Sequence, residues 1–314
     1  MTRLQPPNTR LSGLRSIGFL VLAATLFVTM TARMPAMAQT TVTDALGRQV
    51  AVPETMRVLS LGPDVTEIVY ALGAGGRLVG VDRSSRYPEE ANGLPNVGYR
   101  RALSAEGLLS LKPELILAAE DIGPPEVVDV LKAFSVPVVF IPEDNSMNGV
   151  ARKIALIAET LNREEEGRKL ADEIARDFEA VSALVERVPA ETRKKVVFFH
   201  GIARLTAAGG GTAADAIIRQ SGGINPFGHF DGYKAASEEA LLAMEPQAIL
   251  MMADGRGGPA AEDVFAVAAL STSPAARDRA LIVLDGPYML GFGPRTADAI
   301  RALALALYPD YLAD

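Results

Sequence analysis

The stretch Leu103 to Leu117 returns at Ala236 to Leu250 with a constant offset of 133 residues. Ser104 and Ser237, Glu106 and Glu239, and Pro113 and Pro246 occupy the same places in the two copies, and the offset still holds at Asp121 and Asp254. In each copy a Ser opens a short helical pattern, a Pro ends it, and a run of apolar residues follows. That order predicts a capped helix, a break and a buried strand. A duplicated helix-strand unit constrains the chain to two similar α/β lobes, and two lobes leave a cleft between them.

The segments around each copy agree with this. Thr43 to Arg48 reads as a hairpin-like start. Strands are predicted at Arg57–Ser60, Leu78–Val81, Leu115–Ala119 and Val136–Ile141. Helices are predicted at Val65–Leu72, Ser104–Leu111 and Pro125–Phe134, with Gly73 as a stop and a long loop from Asp82 to Gly98. A second series starts at Lys195, with strands at Val196–Phe199, Ala248–Met252 and Leu281–Leu284. Its helices are Thr212–Ser221, Glu262–Leu270 and Arg295–Tyr308. Strands alternating with helices in this way predict parallel, doubly wound sheets.

Between the two series the pattern is helical. Met147 to Leu161 forms one helix, and Asn162 suits the N-cap of the next. Glu164, Glu165 and Glu166 fall in its first turn, where the helix dipole favours acids. Leu170, Ile174, Phe178, Val181 and Val185 form one apolar stripe ahead of Pro189. About 26 residues at about 1.5 Å each would span roughly 39 Å, the length of a strut between lobes. The expected fold is therefore α/β, with two Rossmann-like lobes joined by one long helix and a ligand cleft between them. The expected divisions are an N-terminal lobe at 39–145, linking helices at 146–190 and a C-terminal lobe at 191–314.

The first 38 residues read as a cleavable signal peptide. Arg3, Arg10 and Arg15 precede an apolar run from Ile17 to Met30, and Ala36-Met37-Ala38 is a small-x-small site, so cleavage is expected after Ala38. That segment holds four Arg and no acid, so the remainder carries 27 basic against 38 acidic residues, a net of −11. Such a balance argues against nucleic acid or an anionic membrane as the main partner. The chain has no Cys, which excludes disulfides, thiolate metal sites, covalently attached haem and a Cys nucleophile.

Ligands of open parallel sheets bind beyond the carboxyl ends of the strands. Tyr99, with Arg100 and Arg101, lies in the loop after one such strand. A phenol beside guanidinium groups loses its proton more readily, and a phenolate is a hard oxygen suited to ferric iron. Asp121 follows the strand at 115–119. His200 directly follows the strand at 196–199, and Arg256 follows the strand at 248–252. Taken alone, each has an ordinary explanation: a half-buried loop Tyr, a strand-end His satisfied by backbone, a solvated loop cation. Glu106 and Glu239 likewise suit the first turn of any helix. His229 has nothing local that favours ligation. Gly209-Gly210-Gly211-Thr212 opens a helix and could cradle an anion, but it lacks the Lys of a P-loop. No Gly-x-Ser-x-Gly elbow is present.

The run Val97-Gly98-Tyr99-Arg100-Arg101-Ala102-Leu103-Ser104-Ala105-Glu106-Gly107 is the most specific feature. With it stand Thr43-Asp44-Ala45-Leu46-Gly47-Arg48, Arg57 to Gly62, Thr66-Glu67-Ile68, Leu72-Gly73-Ala74, Thr212 to Ala216, Gly222 to Asn225 and Gly291-Phe292-Gly293-Pro294-Arg295. In these the chain resembles periplasmic haem-binding proteins of ABC-type haemin importers, within the cobalamin and siderophore class of substrate-binding proteins. The resemblance implies that Tyr99 is the axial ligand of ferric haem b, carried as cargo. It implies that Arg101, Arg100 and Arg256 contact the ligand tyrosine or the haem propionates, with His200 as candidate second ligand. Glu106 and Glu239 would dock onto an ABC permease dimer. It further implies a periplasmic monomer with no catalytic activity, supplied by an outer-membrane haem receptor. A ferric siderophore or cobalamin carrier is the alternative on the same fold, and an exported α/β enzyme the alternative from another class.

Overall fold

Alternation along the strands decides the architecture. In Val58–Leu61 and Leu115–Ala119, Val58, Leu115 and Leu117 enter one apolar cluster while Leu59, Leu61, Ile116 and Ala118 enter another on the opposite face. In Val196–Phe199 and Ala248–Ala253 the same division recurs: Val196, Phe198, Ala248 and Leu250 join the first cluster, and Val197, Phe199, Ile249 and Met251 a third. Each strand is thus apolar on both faces, as parallel sheets covered by helices require. One core runs through both halves, and each half has its own outer core. Every fully buried Leu, Ile or Phe in them contributes about 1.5–3 kcal/mol.

The computed structural model describes residues 1–3, 5, 40–54, 57–133, 135–253 and 257–312. The signal segment's apolar run and the expected cleavage after Ala38 lie outside the described residues, as do Asp254 and Arg256. A hairpin of β1 (Thr40–Thr43) and β2 (Gln49–Val52) comes first. Then follow β3 (Val58–Leu61), α1 (Pro63–Ala71), β4 (Leu78–Val81), α2 (Ala105–Ser110), β5 (Leu115–Ala119), α3 (Pro125–Ala133) and β6 (Val138–Ile141). Their sheet is parallel, in the order β4-β3-β5-β6. The last strand starts at Val138 rather than Val136, since Pro137 has no N–H to give to a ladder.

The linking helices are α4 (Met147–Leu161) and α5 (Glu164–Glu186). Asn162 does not cap the start of α5: it ends α4 in the left-handed conformation, φ 53°, and Arg163 takes the N-cap place. An Asn tolerates that conformation as a helix terminator. The long helix has 23 residues, roughly 35 Å. Ile174, Phe178, Val181 and Val185 are buried along it, and Leu170 is half-buried. Gly167 lets α4 and α5 meet closely, since a Cβ there would stand 2.5 Å from that of Ala158.

The second half comprises β7 (Val196–Phe199), β8 (Thr206–Ala208), α6 (Ala213–Gln220), β9 (Tyr233–Ala235), α7 (Glu238–Met244) and β10 (Ala248–Ala253). It continues with α8 (Ala261–Phe265), α9 (Ala268–Ser271), α10 (Pro274–Arg277), β11 (Leu281–Asp285), α11 (Gly286–Leu290), α12 (Thr296–Leu307) and α13 (Pro309–Leu312). The sheet order is β11-β10-β7-β8-β9, with β7, β10 and β11 parallel and β8 and β9 antiparallel. The single helix expected at Glu262–Leu270 is two short ones. Val267 turns extended between them, so that Phe265, Val267 and Leu270 all reach the outer core.

The duplication is structural as well. Helix α2 starts 133 residues before α7, and β5 the same distance before β10. Lys112 and Glu245, also 133 apart, both take φ 48° after those helices. Residues 39–314 form one compact unit. Lys153 of α4 donates to Asp64 of α1 at 2.6 Å and to the Gly291 and Phe292 carbonyls at 3.1 and 3.2 Å. Arg295 grips Glu67 through Nε and Nη2 at 3.0 and 2.9 Å.

Candidate functional site

The parallel register of the first sheet brings the residues that follow each strand to one rim. Asp64 comes after β3, Arg83 after β4, Asp121 after β5 and Glu143 after β6. Onto this rim the loop after β4 folds back. Gly98 has φ +95°, a conformation that a side chain disfavours, and its amide donates to the Asn96 Oδ1 at 2.9 Å. Tyr99 follows, half-buried. The Tyr99 carbonyl accepts from the Ala102 amide at 2.8 Å, closing a turn. The Gly123 amide donates to the Arg100 carbonyl at 2.9 Å, and the Gly123 carbonyl accepts from the Leu103 amide at 2.9 Å. The loop is therefore laced to the segment beyond β5.

Within it the two neighbouring arginines differ. The Arg100 side chain is 18 % exposed and turns inward, donating to Asp121 Oδ2 at 2.8 Å and reaching Glu143 Oε1 at 3.5 Å. The Arg101 side chain is 56 % exposed. Its Nε donates to Asp121 Oδ2 at 2.7 Å, its Nη2 to the same oxygen, and its Nη1 to the Tyr99 hydroxyl at 3.3 Å. Burial works against the Arg101 charge, yet Asp121 and Tyr99 outweigh it and hold the guanidinium above its ordinary pKa. Arg100 is raised likewise, against burial, by Asp121, Asp64 and Glu143. Burial, aided by Asp121, pushes the Glu143 carboxyl up.

His200 follows β7 on the other half. Its ring stands 4.6 Å from that of Tyr233 and 5.2 Å, edge-on, from that of Phe198. Partial desolvation of the ring and then the Arg101 charge push its pKa down, and Arg101 lies within electrostatic reach of it. Tyr233, 40 % exposed, also feels Arg101, but partial desolvation of its ring dominates and raises its phenol. Arg101 thus touches Tyr99 on its own loop and lies within electrostatic reach of His200 and Tyr233 from the second half, while Arg100 points away into the first. Arg256 lies outside the described residues. Glu106 and Glu239 stand exposed, one in each copy of the duplicated helix, behind Ser caps that accept from Gly107 and Ala240.

Sequence reasoning missed Arg83, Tyr233 and Glu143. Arg83 carries its guanidinium carbon 5.1 Å from the centroid of the Tyr99 ring. Its one signal was a cation at a strand's carboxyl end. The glycine-rich stretch at 209–211 is not an anion cradle. The Gly209 and Gly210 amides donate to the Gly232 and Phe230 carbonyls, and a Cβ on Gly209 would strike Phe230. His229 rests its Nδ1 3.1 Å from the Pro226 carbonyl oxygen, away from Tyr99's loop in the chain.

Residues 58–288 match the periplasmic binding protein family. The structure is similar to the periplasmic heme-binding protein BhuT in complex with two hemes, at 37 % identity and TM-score 0.76, covering 82 % of this chain and 99 % of that one. It is similar to the apo periplasmic heme-binding protein RhuT from Roseiflexus sp. RS-1, at 36 % identity and TM-score 0.76, covering 81 % and 98 %. The vitamin B12-binding protein of Yersinia pestis (strain Pestoides F) is 29 % identical over 196 residues, 62 % of this chain and 69 % of that protein.

Proposed function

Because the chain belongs to the periplasmic binding protein family, we propose that it captures ferric haem in the cleft at Tyr99 and hands it to an ABC-type importer. The observation that carries this is the Tyr99 hydroxyl, presented at the strand ends with a guanidinium donor at 3.3 Å. A tyrosine oxygen is an attested axial ligand of haem iron, and a guanidinium donor beside it holds that oxygen in place. Haem binding by the similar solved proteins supports the same reading. Arg101 steadies the ligand oxygen. His200, within electrostatic reach of Arg101, is a candidate second ligand. The lobes divide at 39–145 and 191–314, with 146–190 linking them.

The protein acts in the periplasm as a monomeric carrier after cleavage behind Ala38. Glu106 and Glu239, one on each lobe, meet basic residues of the permease dimer, and an outer-membrane receptor supplies the haem. Titrating the mature protein with haemin tests the reading: a Soret band with the charge-transfer features of tyrosine-ligated ferric haem is expected. The B12-binding relative favours a second reading, a corrinoid cargo on the same fold. Cobalamin that displaces haem, or binds where haem does not, would establish it instead.

A further inference from the structure

Charge bookkeeping at the cleft separates the arginines around Tyr99. Arg100 is balanced by Asp121 and Glu143, and Arg101 by Asp121. Arg83 forms no ion pair and gives none of its guanidinium N–H groups to a partner among the described residues. It is exposed, and its side chain is set over the face of Tyr99. A guanidinium so placed keeps its planar fork free for a carboxylate, the geometry in which Arg binds best.

The segment that presents it is rigid. Asp82, fully buried, accepts from the Gly62 amide at 3.0 Å, the Ser84 amide at 2.9 Å and the Ser85 hydroxyl at 2.5 Å. Ser85 in turn is joined to Thr66 at 2.8 Å, and Thr66 to Ser60 at 2.8 Å. The Arg83 amide donates to the Gly98 carbonyl at 2.8 Å, tying its backbone directly to the residue before Tyr99. A preorganised backbone leaves only the side chain to be ordered on binding, which lowers the cost of using it.

We infer that Arg83 receives a carboxylate of the cargo while Tyr99 takes its iron, so that the two residues fix how the ligand sits in the cleft. The inference rests on the haem reading above. It moves the propionate contact away from Arg100, whose charge is spent inside the protein.

The test compares ferric protoporphyrin IX with its dimethyl ester, in which both carboxylates are masked, on the wild type, Arg83→Ala and Arg83→Lys. Because Arg83 is exposed, both variants are expected to melt as the wild type does. Arg83→Ala should bind the free acid about tenfold more weakly and the diester unchanged, with Arg83→Lys between. The spectrum of the bound free acid should stay that of tyrosine ligation. Equal weakening for both porphyrins, or none for either, overturns the inference and leaves the haem reading standing. Failure of the wild type to bind either porphyrin overturns both.

Discussion

The Lys153 ammonium meets the Asp64 carboxylate at 2.6 Å, with the lysine side chain 3 % and the aspartate side chain 6 % exposed. Its other contacts go to the Gly291 and Phe292 carbonyls, so one buried cation joins α1, α4 and the segment before α12. Lys153→Met strands a buried carboxylate and should destabilise the protein by about 3–5 kcal/mol, read from chemical denaturation. Adding Asp64→Leu to that variant should recover most of the loss. A loss below about 1 kcal/mol in the single variant would show that Asp64 finds water instead.

Contacts in the same region tie the two halves together. Arg295 holds Glu67 through two nitrogens while its guanidinium carbon lies 3.5 Å from the Tyr87 ring centroid. Arg86 adds a bridge to Asp285 at 2.7 Å. With one long helix as the connection, small-angle scattering of the protein with and without haem should give superimposable profiles. Strongly different profiles would mean that these contacts break on binding.

His200 should titrate below an ordinary imidazole, because burial, and after it Arg101, disfavour its charged form. The unfolded chain takes up this proton first, near pH 6.5. Stability from keeping His200 neutral is therefore present above that pH and is lost as pH falls toward the lower folded value. With two His in the chain, proton NMR of His229→Gln isolates the signal. Arg101→Ala should move the midpoint upward. A midpoint at or above the ordinary value in the wild type would contradict the placement.

Glu106→Lys with Glu239→Lys should stop haem delivery to a reconstituted importer while haem affinity stays as in the wild type, since charge reversal at a docking surface repels a basic partner. Delivery that continues in the double variant would remove these residues from the interface.

Much of the frame was legible because its signals are local. Strands such as Val196–Phe199 are short unbroken apolar runs, and Ser104 and Ser237 announced their helices by the capping chemistry they then make. The offset of 133 makes the duplication readable in the sequence itself. Tyr233 was not legible, because β8 and β9 have three residues each, too few to show a period. Arg83 was not legible either: its proximity to Tyr99 depends on the Val81–Asn96 bridge and the hydrogen bond to Gly98, both tertiary. Asn162 misled because the side chain that suits an N-cap also suits a left-handed terminator.

Haemin titration of the mature wild type beside Tyr99→Ala bears most directly on the central claim. The account predicts that Tyr99→Ala binds at least about tenfold more weakly and loses the charge-transfer bands of tyrosine ligation, with its melting temperature unchanged. Wild-type affinity together with a wild-type spectrum in Tyr99→Ala would contradict it.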